Sequence, residues 1–309
     1  MLFNIHTGSW DKELCELFQI PTSVLPAICQ TGGYIGVVAT DPSIPAALWG
    51  KPICSAVGDQ QAALFGQTCF NEGDAKNTYG TGCFTLVNTG NTPIDTENLI
   101  STVAWKINNQ TTYALEGSVF NAGSSIQWLR DELKIIKSAS EVDKNAEKVE
   151  DSGGVYLVSA FTGLGAPHWD MYARGTIVGI TRGTNVNHIC RATLEGIAFQ
   201  VRDLLEAMQA QTGTKISALF VDGGACVSNL LMQFQADIAD CVVDRPKIVE
   251  STALGAAMLA SLGAGFATMD DLKDLRVCDH RFEPKMDENI RREKTEKWNR
   301  AVEAAKIII

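Results

Sequence analysis

The sequence predicts an α/β fold built around a substantial sheet, on three observations. Short apolar or β-branched runs end repeatedly in glycine-bearing turns. Longer segments with apolar residues three or four apart alternate with them. No internal repeat or low-complexity linker interrupts the 309 residues, which are enough to bury a sizeable core.

The elements can be taken in order. Residues 1–50 are irregular, except that SWDKELCELF predicts a short helix capped by Ser9, with Leu14, Leu17 and Phe18 on one face. From Ile53 the punctuation becomes regular. Strands are predicted at PICSAV before Gly58-Asp59, at CFTLV before Asn88-Thr89-Gly90, and at VAWKI and TTYAL on either side of Asn108-Asn109, where a hairpin is expected. Further strands are predicted at GVYLVSAF, GTIVGITRG and ALFVDGG. A helix over 60–67 follows Asp59, and residues 124–134 place Ile126, Leu129 and Leu133 on one stripe. Residues 188–209 carry Ile189, Thr193, Ile197, Val201, Leu204 and Met208 at amphipathic spacing. LLMQFQADIAD predicts another helix. Residues 252–266, rich in Ala and Gly, suit close packing on a sheet, and 287–307 reads as a charged, mostly exposed helix.

Composition excludes several classes of function. Hydrophobic residues make up 45% and charged residues 20%, and the net charge of -10 offers no basic surface to nucleic acid or anionic lipid. The nine cysteines include no C-x-x-C pair, which argues for reduced thiols rather than a disulfide framework or a zinc site. No apolar run approaches about 18 residues, and the start lacks the blocks of a signal peptide. A cytoplasmic protein without a membrane span is expected.

Chemistry is expected at the strand ends. Asp59 sits where a strand hands over to a helix, and two roles fit it. It is a suitable N-cap for helix 60–67, and it is a candidate base for phosphoryl transfer, which needs a carboxylate to orient an acceptor hydroxyl and take its proton. Both are compatible. The turn Asn77-Thr78-Tyr79-Gly80-Thr81-Gly82 could wrap a phosphate, or be a plain hairpin turn. Asp222-Gly223-Gly224 before a helix, and Gly123 before helix 124–134 with Gln127 one turn further in, could face a nucleotide or serve close packing.

Taken together, GDQQAALFGQ (58–67), KNTYGTGCF (76–84), ALEGSVFNAGSSIQWLRD (114–131), AFTGLGAPHWDMYARG (160–175) and VDGGACVSNLLMQFQADI (221–238) resemble the glycerol kinase family, in order and at family-like spacing. GTIVGITRGTNVNHICRATLE (175–195) also fits the broader carbohydrate-kinase pattern. The resemblance implies an actin-like, ribonuclease-H-like fold of two domains around an ATP site. It implies transfer of the ATP γ-phosphate to glycerol with Mg2+. Carried over by position, Asp59 is general base and glycerol ligand, and a magnesium contact through a metal-bound water. Gln60 is a second glycerol ligand, and Phe84 packs on the glycerol carbons. Thr81 contacts the ATP phosphates, while Gly123, Gln127 and Gly224 hold the nucleotide. Where the family commonly has Asn on the adenine side, this chain has Ser228, which is shorter and lacks the amide.

The family's early Asp-Gln-Gly-Thr-Thr-Ser loop, and its Arg-Glu pair and tyrosine for glycerol, do not occur here. The resemblance therefore implies that 1–68 is the tail of an N-terminal domain and 69–309 the C-terminal, nucleotide-side domain. Activity is then expected to need the missing region, and the full-length protein to be a homo-oligomer. The alternatives are a non-catalytic nucleotide-binding or interaction module, and a kinase for another polyol or sugar.

Overall fold

The structure, a computed structural model, describes residues 2–306. β1 (Phe3–Asn4) pairs antiparallel with β2 (Ser9–Trp10), α1 spans Lys12–Leu17, and β3 (Gly32–Val37) pairs antiparallel with β4 (Pro52–Ser55). α2 (Asp59–Gly66) leads into β5 (Ala75–Tyr79), β6 (Cys83–Gly90), β7 (Ile100–Ile107) and β8 (Gln110–Val119). α3 (Gly123–Asp131) and α4 (Glu141–Ala146) precede a ladder of β9 (Tyr156–Val158) and β10 (Thr176–Val178). Then come α5 (Val186–Thr212), β11 (Ala218–Asp222), α6 (Asn229–Ala239), β12 (Val242–Pro246), α7 (Ser251–Gly263), α8 (Met269–Lys273), β13 (Cys278–Phe282) and α9 (Glu288–Lys306).

Seven strands form one mixed sheet in the order β13-β12-β11-β5-β6-β8-β7. β5 is the pivot. It runs antiparallel to its hairpin partner β6 and parallel to β11, which in turn is parallel to β12. The carboxyl ends of β5 and β11 therefore lie side by side where the connection changes direction, the position at which open α/β sheets bind ligands.

Both faces of the sheet are covered, and the strand register assigns residues to each. Ala75, Tyr79, Val87, Leu115, Leu219 and Val221 point into the large core shared with α5 and α6. Lys76, Thr78, Phe84, Glu116 and Asp222 occupy the opposite face, which α2 and α7 cover with Leu64, Phe65, Met258 and Leu259. The two covering helices meet backbone to backbone. A Cβ on Gly66 would collide with the Ser251 carbonyl, and one on Gly255 with the Ala62 carbonyl. The Ala- and Gly-rich segment thus packs closely on a helix and on the β3–β4 ladder, where Gly263 abuts the Cys54 carbonyl, rather than chiefly on the main sheet.

Several expectations are refined. The Asn108-Asn109 turn joins β7 to β8, with both residues at positive φ (50° and 62°), as a two-residue hairpin of the favoured twist requires. Ser9 lies in β2. α1 is instead capped by Asp11, whose carboxylate accepts from Leu14 N–H at 3.0 Å, and its buried residue is Cys15, with Leu17 and Phe18 exposed. Leu133 lies beyond α3 and is exposed. GVYLVSAF and GTIVGITRG shrink to β9 and β10, which pair with each other outside the main sheet. β5 was missed as a strand because AKNTY is polar, and β13 because CDHRF is an exposed edge. α9 is less exposed than its charge suggests. Trp298 is fully buried, stacks on Phe199 at 4.9 Å and 5°, and donates its indole N–H to Asp203 at 2.8 Å.

Candidate functional site at the β5 and β11 strand ends

Two groups of residues gather at these strand ends. The first lies on the α2 side of the sheet. α2 begins at Asp59, and its N-cap is Gly58, which offers no side-chain bond, so Asp59 is not the cap. It occupies the first turn, where a carboxylate is favoured by the helix dipole. Its side chain is exposed, and one oxygen accepts from the Gln60 backbone N–H at 2.9 Å. An exposed carboxylate held at a helix start is free to meet an acceptor hydroxyl.

Gln60 turns back onto the sheet, where its Oε1 accepts from Lys76 Nζ at 2.5 Å. The same ammonium donates to Thr78 Oγ1 at 2.8 Å. Phe84 is half-buried and lies directly across from Thr78 and Ser118, which places its ring on this same face. Asp59, Gln60 and Phe84, the residues expected to bind the acceptor, are thus anchored around one stretch of β5 and β6.

Charge is concentrated here. Lys76 is fully buried, and that burial lowers its pKa to about 8, opposed by the negative charges of Asp222 first and then of Glu116 and Asp59. Burial raises the Glu116 carboxyl above its usual range; Lys76 counteracts this and Asp59 adds to it. Asp222 is buried, and neither carboxylate oxygen has a hydrogen-bond partner. Lys76, Glu116 and Asp222 were given no role from sequence. The available signal was a lysine inside a strand-forming segment and an aspartate ending another.

The second group surrounds Gly80. The phosphate turn is shorter than expected, since Asn77, Thr78 and Tyr79 belong to β5 and only 80–82 turn. Thr81 is exposed at its tip. The turn docks on the start of α3: Gly123 N–H donates to the Gly80 carbonyl at 3.0 Å, and Ala122 and Ser124 N–H donate to the Thr81 carbonyl at 2.9 and 3.1 Å. A Cβ on Gly123 would lie 2.6 Å from the Gly80 carbonyl oxygen. The first N–H groups of α3 are therefore taken by the turn, so Gly123 brings α3 against it rather than offering its amide to an anion. Gln127, one turn on, is exposed. The Asp222-Gly223-Gly224 turn closes the group. Gly223, at φ 84°, sits against the Tyr79 carbonyl, and Gly224 is exposed with open space around its Cα.

Ser228 stands slightly apart. Its hydroxyl caps α6 by accepting from Leu231 N–H at 3.0 Å, and it donates to Asp143, whose carboxyl is raised by burial. Its polar capacity is engaged within the protein. The neighbouring Asn229 is exposed and accepts from Arg245 at 3.0 Å.

Among the described residues no cluster of three or more His, Cys, Asp or Glu side chains could hold a metal ion, and no helix is long and apolar enough to cross a membrane. All nine cysteines are free.

Comparison with known proteins gives consistent results. Residues 75–264 match the C-terminal domain of the FGGY family of carbohydrate kinases, and residues 1–66 match the N-terminal domain of that family. The chain is 53% identical over 308 residues to a glycerol kinase of Agathobacter rectalis, covering 99% of this chain and 61% of that protein. It is 54% identical over 309 residues to a glycerol kinase of Caldanaerobacter subterraneus, again covering 99% and 61%. The chain thus spans about three fifths of the length of the curated relatives it matches. Its fold superposes on a Plasmodium falciparum glycerol kinase solved with ADP at TM-score 0.92 and 40% identity, covering 100% of this chain and 62% of that one. A xylulose kinase from Lactobacillus acidophilus, at 23% identity, 98% and 61% coverage and TM-score 0.80, shares the fold. By the domain matches along its length and the actin-like, ribonuclease-H-like arrangement of its sheet, the chain belongs to the FGGY family of carbohydrate kinases.

Proposed function

We propose that this chain carries the acceptor base and the nucleotide side of an ATP-dependent glycerol kinase, with residues 1–68 as the tail of one domain and 69–309 as the next. One observation carries this reading. The exposed Asp59 carboxylate stands beside Gln60 at the head of α2, over the β5 strand that ends in the Thr81 turn.

In this arrangement Asp59 accepts the proton of a terminal glycerol hydroxyl while that oxygen attacks the γ-phosphorus of ATP. The bond from the γ-phosphorus to the bridging oxygen breaks, and ADP leaves with its electron pair. Gln60 and Phe84 orient the polyol, one by hydrogen bonding and the other by covering carbon. Thr81 and Gly224, both exposed at neighbouring turns, suit the phosphates and the nucleoside. α3 supports the Thr81 turn, and Gln127 presents its amide from the same helix. Ser228 is assigned to shaping α6 rather than to direct adenine recognition, because its hydroxyl is already engaged.

The residues present fit magnesium in its usual kinase role. That ion keeps most of its waters and binds through one or two carboxylates plus substrate phosphates, and exposed Asp59 meets the requirement without a dedicated cage. When bound, it supplies charge neutralisation on the phosphates.

The test is ATP-dependent glycerol 3-phosphate formation by the chain, alone and supplemented with the N-terminal kinase half. Asp59→Asn is expected to reduce turnover by about a hundredfold to ten-thousandfold with little effect on ATP binding. Full activity of that variant would remove Asp59 as the base, and nucleotide binding without turnover in either format would favour a non-catalytic module.

A further inference from the structure

Lys76 is a fully buried cation in the middle of β5, beside the proposed acceptor site, and nothing above uses it chemically. Its surroundings are built for a charge. Asp222 from β11 and Glu116 from β8 lie on the same face of the sheet, and they and Asp59 of α2 favour its charged form. The unpartnered Asp222 carboxylate offers compensating negative charge through space rather than through a direct bond.

The bond to Gln60 has a consequence for polarity. A glutamine carboxamide has an accepting and a donating end, and either could face the sheet. An ammonium has three donors and no acceptor, so only the oxygen can meet it. Resting on the glycerol kinase reading, we propose that Lys76 is a positioning residue that locks the Gln60 carboxamide with its oxygen inward and its NH2 group toward the acceptor.

Gln60 then serves the acceptor only as a donor, whereas ionised Asp59 serves it only as an acceptor. Two neighbouring groups of opposite polarity suit a polyol, in which one hydroxyl gives up its proton and another receives a hydrogen bond. Thr78, which takes a second Nζ hydrogen, holds the ammonium in register with the strand.

The test is a double-mutant cycle between Lys76→Met and Gln60→Ala in the kinase form that turns over glycerol. Lys76→Met is expected to raise KM for glycerol about tenfold to a hundredfold and leave KM for ATP unchanged, the loss of a charge-assisted hydrogen bond. In the Gln60→Ala background the same change should have almost no further effect on KM for glycerol. Additive effects, or equal effects on both substrates, would overturn the proposal.

Lys76→Met leaves the buried, unpartnered Asp222 carboxylate without its compensating cation, so Lys76→Met/Asp222→Asn is made in parallel to preserve folding. It should show the same substrate selectivity of the defect. A second readout does not depend on turnover. In the chain as it stands, the Gln60 side-chain amide is expected as two sharp, well-separated NMR resonances that collapse toward the free-glutamine position in either Lys76 variant. Absence of glycerol phosphorylation even with the N-terminal kinase half supplied would count against the kinase reading, while an unchanged Gln60 amide spectrum would count against Lys76.

Discussion

At the scale of single residues, Lys76 shows how a site can be legible in part. Asp59 could be singled out from its place between a strand and a helix, where a helix cap fits equally well, and the family resemblance is what favours the base. Lys76 could not, because a lysine in a strand is ordinarily a solvated edge residue, and only the register reveals that both faces of β5 are covered. Its burial has a measurable cost. A fall in pKa from 10.5 to about 8 corresponds to about 3 kcal/mol. The sign follows from proton binding. Between about pH 8 and 10.5 the unfolded chain holds a proton on this lysine that the folded chain has released, so stability rises with pH across that window. The full penalty stands below about pH 8 and is gone above 10.5. Denaturant unfolding of the wild type should therefore gain on Lys76→Met/Asp222→Asn between pH 8 and 10.5, and parallel curves would mean that the lysine is solvated.

At the scale of elements, long amphipathic helices could be read directly, and α5 runs from Val186 to Thr212 around the expected 188–209 core. Strand identity was harder wherever polarity replaced alternation, as in AKNTY. Turn function was harder still. A glycine before a helix suggests exposed N–H donors, yet at α3 those donors are consumed by carbonyls of the Thr81 turn. Whether such groups are free depends on a loop more than 40 positions upstream, and local sequence holds no trace of it. Ser228 is a parallel case, in which a position associated with ligand is occupied by capping. Ser228→Ala should destabilise the chain by about 1 kcal/mol in thermal or denaturant unfolding. An equal loss of ATP affinity without loss of stability would instead assign the hydroxyl to the nucleotide.

At the scale of the whole molecule, packing is uneven. The main sheet and its helices enclose a hydrophobic cluster on each face, while Leu17, Val24, Tyr34, Val37 and Ile53 in the first 56 residues remain exposed, Tyr34 at 70%. Sequence showed that these residues are apolar, but not that nothing covers them, since exposure is a property of the assembled surface. A concentration of apolar side chains of this kind predicts self-association of the isolated chain. Sedimentation velocity should show weight-average mass rising with concentration, and Tyr34→Ser with Val37→Lys should suppress the rise. A strictly monomeric wild type would show that this surface is too divided to associate.

The contact of Gly66 with α7, and of Gly255 with α2, carries a mechanical consequence. No pliable side chain stands between the two helices at that crossing, so a displacement of α7 passes to α2 almost undamped. Asp59 lies seven residues from Gly66, about 10 Å along the same rigid rod. An error of about 1 Å at a reacting group can cost a hundredfold in rate. α7 touches no proposed ligand, yet a single methyl group added at Gly255 would push against the Ala62 carbonyl and shift α2, and with it the proposed acceptor site, from a distance.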